Sequence, residues 1–206
     1  MFVRNCWYMI AWDYEIPHEQ ANGKIFSRTV LGEPIVVYRA SSGLVALADR
    51  CVHRGAPLSK GRLEGDNLRC GYHGLVFNPQ GQCTEVPGMD KVPSKACVKR
   101  YPIVEKNRWI FVWMGEPDKA DVKQLPDNFS CDSPDWKNVP GYMHYNTNYL
   151  LICDNLLDFS HLSYVHEKTL GGSLAIAQAR PTVDEVTKEG QRGLRLQRSV
   201  SEASPS

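Results

Sequence analysis

Two short segments carry side chains able to bind metal: Cys51-Val52-His53-Arg54-Gly55-Ala56-Pro57-Leu58 and Cys70-Gly71-Tyr72-His73-Gly74-Leu75. Together they read C-x-H-x16-C-x2-H, with one thiol and one imidazole in each segment. Two thiolates and two imidazoles on two loops suit a [2Fe-2S] centre of mixed ligation, in which one iron takes both cysteines and the other both histidines. Replacing two anionic sulfurs by neutral nitrogens lowers the negative charge around the metal. The potential then rises to roughly −150 to +300 mV, against about −400 mV for the all-cysteine type. Gly55, Gly71 and Gly74 stand beside these ligands, where a missing Cβ lets backbone N–H groups approach sulfur. Two other readings remain open. A structural Cys2His2 zinc site has the right donors but usually spaces them C-x2-4-C and H-x3-5-H. The blandest alternative is two buried cysteines and two hydrogen-bonded histidines with no metal.

A second group lies downstream, in Cys153-Asp154-Asn155-Leu156-Leu157-Asp158-Phe159-Ser160-His161-Leu162-Ser163-Tyr164-Val165-His166. On a helix, Asp154, Asp158 and His161 share one face, so either carboxylate could orient the imidazole. His161 and His166 are five residues apart, which leaves them about 140° apart on a regular helix. Irregular backbone at Ser163 to Val165 is therefore expected, because a π-bulge or a helix end would let both histidines face one metal. Two histidines and a carboxylate form the facial triad of non-haem Fe(II) oxygenases. H-x4-H alone is a weak signal that chance produces easily.

These groups need elements to hold them. From Ile25 to Trp113 the chain shows short β-prone runs separated by turn residues: Ile25 to Val30, Glu33 to Arg39, Leu44 to Ala48, Leu75 to Phe77, Cys83 to Val86, Tyr101 to Val104 and Trp109 to Trp113. The last two flank Glu105-Lys106-Asn107-Arg108 as a hairpin, and Asn78-Pro79-Gln80-Gly81 turns another. A small sandwich or partly open barrel over residues 1–115 is expected. Residues 116–141, broken by Pro117, Pro126, Pro134 and Pro140, read as a connector. A second unit over 142–206 is expected to be extended at Tyr142 to Ile152, helical at Asp154 to Tyr164 and a strand at Gly193 to Val200. It ends in the tail-like Ser201 to Ser206.

Composition bounds the function. The chain has 206 residues, 42% hydrophobic and 23% charged, enough apolar material for a core and too little charge bias for disorder. Its net charge of +1, with both signs interspersed, gives no footprint for nucleic acid or an anionic membrane. No run approaches a spanning helix, and the opening residues lack the order of a signal peptide, so the cytoplasm is the expected compartment. Seven cysteines form no disulfide framework and suit reduced thiols or metal ligands. Cys6, Cys83, Cys97, Cys131 and Cys153 read as ordinary thiols, His18 and His144 as structural, and Trp7, Trp12, Trp109 and Trp113 as packing. Arg54 and Tyr72 suit partner contact and packing equally.

With both motifs in hand, the chain resembles the oxygenase component of a Rieske non-haem iron oxygenase. The likeness runs from Phe2-Val3-Arg4-Asn5-Cys6-Trp7-Tyr8 through the cluster loops and Trp109 to Trp113 to Asp154–His166, and is nearest the vanillate O-demethylase and toluenesulfonate methyl-monooxygenase group. It implies an α+β chain: a β-rich Rieske domain followed by the start of a helix-grip-like catalytic domain. It also implies O-demethylation or methyl hydroxylation of a vanillate-like aromatic acid by O2. A flavin and iron–sulfur reductase would bring electrons from NAD(P)H to a cluster on Cys51, His53, Cys70 and His73, and onward to a mononuclear Fe(II) on His161 and His166. Asp158 resembles the acidic residue that links a cluster histidine of one subunit to an iron-ligand histidine of its neighbour in a homotrimer. Asn155 resembles a residue near the open iron face. The family's carboxylate ligand lies far downstream. Glu167, Asp184, Glu185, Glu189 and Glu202 do not match its position, so a truncated chain is expected. The alternatives are a Rieske electron-transfer protein, or an inactive fragment, and a zinc-stabilised interaction domain.

Overall fold

Among the described residues, the short β-prone runs between turn residues become eleven strands in the first part of the chain: β1 (Cys6–Trp12), β2 (Phe26–Val30), β3 (Glu33–Ala40), β4 (Gly43–Ala48), β5 (Arg62–Glu64), β6 (Asn67–Arg69), β7 (Val76–Phe77), β8 (Cys83–Glu85), β9 (Arg100–Tyr101), β10 (Ile103–Lys106) and β11 (Trp109–Met114). The structure is a computed structural model that describes residues 2–17, 24–166, 168, 174–188 and 191–200. His18, Glu167, Glu189, Glu202 and the tail from 201 lie outside the described residues. The chain divides into two units, Met1–Gly141 and Tyr142–Ser206.

In the first unit the strands form three antiparallel sheets, ordered β1-β11-β10, β2-β3-β4-β9 and β5-β6-β7-β8. The second of these is covered on both faces. Ile35 and Val37 of β3 and Ala46 of β4 enter a core shared with Ile10, Ile110 and Val112. Their neighbours Val36, Tyr38, Val45 and Leu47 enter a second core with Cys51, Leu58, Leu68, Cys70 and Phe77. A strand buried on both sides can be apolar at every position, which is why Ile35-Val36-Val37-Tyr38 shows no alternation. The presence of Cys51 and Cys70 in that second core fixes the bases of their loops.

Two turns show the local chemistry. Asn78 Oδ1 accepts from the backbone N–H groups of Gln80 (3.1 Å) and Gln82 (2.9 Å), and Gly81 takes φ +82°, closing the β7–β8 hairpin. Between β10 and β11 the turn is shorter than the four polar residues suggested: Lys106 pairs with Trp109, leaving Asn107 and Arg108 at φ +49° and +65°. Two left-handed residues match the strand twist, so Glu105 and Lys106 stay in the ladder. The run Tyr101 to Val104 is also divided, Tyr101 pairing with β4 and Ile103 with β11.

In the first unit the last described strand ends at Met114, and residues 116–141 belong to the same unit. The Trp7 indole donates to the Asp121 carbonyl (2.9 Å), Asn107 to Asp132 (2.7 Å) and Trp12 to the Gly141 carbonyl (3.2 Å), and Leu125 is buried. Trp113 is buried with Trp7 at its edge, ring centroids 5.3 Å apart.

The second unit holds α1 (Tyr149–Leu157), α2 (Leu162–Val165), α3 (Leu174–Gln178) and an antiparallel hairpin of β12 (Thr182–Lys188) and β13 (Gln191–Gln197). Tyr149 to Ile152, expected to be extended, is helical: Asn148 caps α1 by accepting from the Leu150 N–H (3.0 Å). The helix expected to reach Tyr164 stops at Leu157, where Asp158 turns to extended backbone (φ −87°, ψ 102°). The irregularity thus falls at Asp158 to His161, and Ser163 to Val165, where it was expected, is helical. No helix among the described residues is long and apolar enough to cross a membrane.

Candidate metal centres

The two loops that carry the candidate ligands share one backbone plan. In the first, the Cys51 N–H donates to the Ala56 carbonyl (2.8 Å) and the Gly55 N–H to the Cys51 carbonyl (2.8 Å). In the second, the Cys70 N–H donates to the Leu75 carbonyl (2.8 Å) and the Gly74 N–H to the Cys70 carbonyl (3.1 Å). Each loop therefore closes four residues after its cysteine on a glycine of positive φ, +68° at Gly55 and +77° at Gly74. Gly71 has another task. A Cβ there would stand 2.7 Å from the Lys60 carbonyl oxygen, so only glycine lets the second loop lie against the turn that follows the first.

Within this frame Cys51 and Cys70 are buried at the loop bases and His53 and His73 are exposed at the tips, their rings 4.5 Å apart at 65°. Tyr72 packs on His73 at 3.9 Å while staying exposed. Burial pushes the Cys51 thiol up, the His53 backbone N–H pulls it back and the neighbouring Cys70 adds to the rise. Two buried thiols in mutual contact and two paired imidazoles form the donor set a mixed-ligand [2Fe-2S] centre requires. Among the described residues, no three His, Cys, Asp or Glu side chains gather closely enough to hold a single ion.

Support for the loops comes from residues the motif does not name. Buried Asp49, at the end of β4, accepts from the Ser59 N–H (2.7 Å) and hydroxyl (2.6 Å), which spans the first loop. Arg69, just before Cys70, grips Glu64 (2.7 Å) and Glu85 (2.9 Å) and donates to the Gly74 carbonyl (2.7 Å). Arg69 in turn holds both carboxyls below the usual range. The only sequence signal for this clamp was an arginine adjoining a ligand. Leu75, Val86, Met89, Pro93 and Ala96 line an apolar cavity of about 250 Å³ beside His53.

In the second unit the break after α1 brings the histidines together. His161 precedes α2 and His166 follows it, and their rings lie 5.3 Å apart. Asp158 Oδ2 faces His161 Nδ1 at 3.5 Å. The Ser160 backbone N–H donates to Asp158 Oδ1 (2.7 Å); with the Ser160 hydroxyl and His161 it holds this carboxyl below its usual range. Asp154 and Asn155 are exposed on α1, and because the helix ends before His161 the single-face argument for Asp154 does not apply.

Two family models match the chain. Residues 6–102 match the Rieske [2Fe-2S] domain, and residues 145–206 match the vanillate O-demethylase oxygenase C-terminal domain. The chain is 53% identical to the iron–sulfur subunit of the toluene-4-sulfonate monooxygenase system of Comamonas testosteroni, over 91% of this chain and 53% of that protein. It is 44% identical to the oxygenase component of dicamba O-demethylase of Stenotrophomonas maltophilia, over 80% and 48%. Dicamba monooxygenase bound to 3,6-dichlorosalicylic acid superposes with a TM-score of 0.80 at 36% identity, over 95% of this chain and 56% of that one. The chain spans about half the length of the curated relatives it matches. With a mixed-ligand cluster fold followed by the oxygenase-type domain match, the chain belongs to the Rieske non-haem iron oxygenase family.

Proposed function

We propose that the chain acts in the oxygenase component of a two-component Rieske monooxygenase that O-demethylates or methyl-hydroxylates a vanillate-like aromatic acid. The convergence of His161 and His166 beside Asp158 carries this reading, because the loops alone would suit a plain electron carrier. One oxygen atom of O2 enters a C–H bond of the methyl or methoxy carbon and the other leaves as water. The two electrons come from NAD(P)H through a flavin and iron–sulfur reductase, and two protons from solvent. A hydroxylated methoxy carbon is a hemiacetal, which collapses to the phenol and formaldehyde.

When bound, a Rieske cluster passes single electrons and a mononuclear Fe(II) offers open positions for O2. The chain's residues do the rest. Cys51 and Cys70 would hold one cluster iron, and the exposed His53 and His73 the other, where an electron donor could reach them. His161 and His166 would hold the mononuclear iron, Asp158 would orient His161 through its contact with Nδ1, and Asn155 would belong to the surroundings of that iron. In a homotrimer Asp158 would link His161 to a cluster histidine of a neighbouring subunit. Seven free cysteines support a reducing, cytoplasmic setting.

Iron analysis tests this. Mononuclear iron beyond the cluster, lost in His161→Ala and retained in His53→Ala, is the expected result. Iron confined to the cluster contradicts the oxygenase reading and leaves an electron carrier.

A further inference from the structure

The hinge that presents His161 is tied to a residue far along the chain. Arg198, just beyond β13, donates from Nη1 to the Ser160 hydroxyl (3.2 Å), 38 residues away, and to the Ile176 carbonyl of α3 (3.2 Å). Its Nε is buried with no partner. Withdrawing a guanidinium from water is costly unless oxygen atoms receive its protons, and an orphaned donor adds to that cost. Arg198 is therefore a strut between three segments and no surface ornament. From Ser160 the link continues: its N–H holds Asp158 Oδ1 at 2.7 Å, and Asp158 Oδ2 faces His161 Nδ1 at 3.5 Å.

We propose that Arg198 is a positioning residue that, through Ser160 and Asp158, fixes the turn between α1 and α2 and sets the orientation and tautomer of His161. This inference rests on reading His161 as a metal ligand. A metal-binding imidazole is commonly oriented by a partner on its other nitrogen, and loss of such a partner weakens metal binding about 10- to 100-fold. Arginine suits the task because its rigid fork stays charged and can reach two oxygens at once. The hinge needs such a strut, since α1 buries none of its own residues.

The test uses the full chain labelled with 15N-histidine, reading the His161 imidazole shifts and Co(II) binding to that ring, with His161→Gln giving the assignment. The expected wild-type state is the Nδ1–H tautomer. Arg198→Met should mix the tautomers and weaken Co(II) binding about tenfold. Ser160→Ala should do the same, the double variant should lose no more than either alone, and Arg198→Lys should recover part of the loss. The visible spectrum of the cluster should not change in any of them. Unchanged shifts and affinity in Arg198→Met overturn the inference while leaving His161 a ligand. Additive losses without recovery by lysine also overturn it, since they indicate a merely structural role. If His161→Gln itself leaves Co(II) binding intact, the proposed function fails as well.

Discussion

Cys51 and Cys70 sit buried at the bases of loops that leave paired strands, whereas His161 and His166 flank a helix of four residues in a unit whose longest described helix buries nothing. Leu150, Leu151, Leu156 and Leu157 of α1 are all more than half exposed, while Leu58 and Leu68 beside the cluster loops are fully buried. The first site takes its geometry from backbone hydrogen bonds inside a core. In the second, a chain of side-chain contacts through Asp158 and Ser160 sets it. A cluster ligated on both irons needs all four donors fixed together.

Substitutions sharpen this contrast. Leu58→Ala should destabilise the first unit by about 3 kcal/mol, because it leaves a cavity under both loops, whereas Leu156→Ala should change stability by less than about 0.5 kcal/mol. Chemical denaturation measures both, and equal losses would break the comparison. Ser59→Ala, which removes the hydroxyl bond to the buried Asp49 carboxylate and keeps the one from the residue 59 backbone N–H, should cost about 1 kcal/mol in the same assay.

The smallest effect concerns acid. Glu33 is partly buried, which opposes ionisation, but Tyr101, Arg4 and Lys99 outweigh this and bring its pKa down to about 2 from 4.5. A carboxyl depressed in the folded state contributes stability above its unfolded value, and that contribution is lost as pH falls from about 4.5 to about 2. Tyr101→Phe should therefore move acid unfolding of the first unit to higher pH, as circular dichroism across that range would show. An unmoved acid limb would place the acid sensitivity elsewhere.

The strand-rich half was legible because its signals are local: turn residues, apolar runs and ligand spacing each act within a few positions. The ligand glycines were visible as glycines, yet the close approach of Gly71 to the Lys60 carbonyl needs a contact that spacing does not encode. The same holds for the Asp49–Ser59 and Arg69 clamps, which depend on loop closure. In the second unit apolar spacing suggested a helix through Tyr164, but Asp158 and Ser160 favour a local hydrogen-bonded turn over another helical step, so the break came earlier than expected. Convergence of the two histidines was anticipated from chemistry, whereas the strut from Arg198 was not, because no sequence pattern joins residues so far apart.

In the proposed cluster, histidine nitrogen ligates one iron and cysteine sulfur the other. This ligation is tested most directly by electron paramagnetic resonance of the reduced, 15N-histidine-labelled chain, with iron and acid-labile sulfide counted in the same sample. Three irons and two sulfides per chain are expected, two of the irons in the cluster and the third mononuclear, with a reduced-cluster signal coupled to two histidine nitrogens, one of them lost in His53→Ala and the other in His73→Ala. A sample without sulfide, or a cluster signal with no nitrogen coupling, would contradict it.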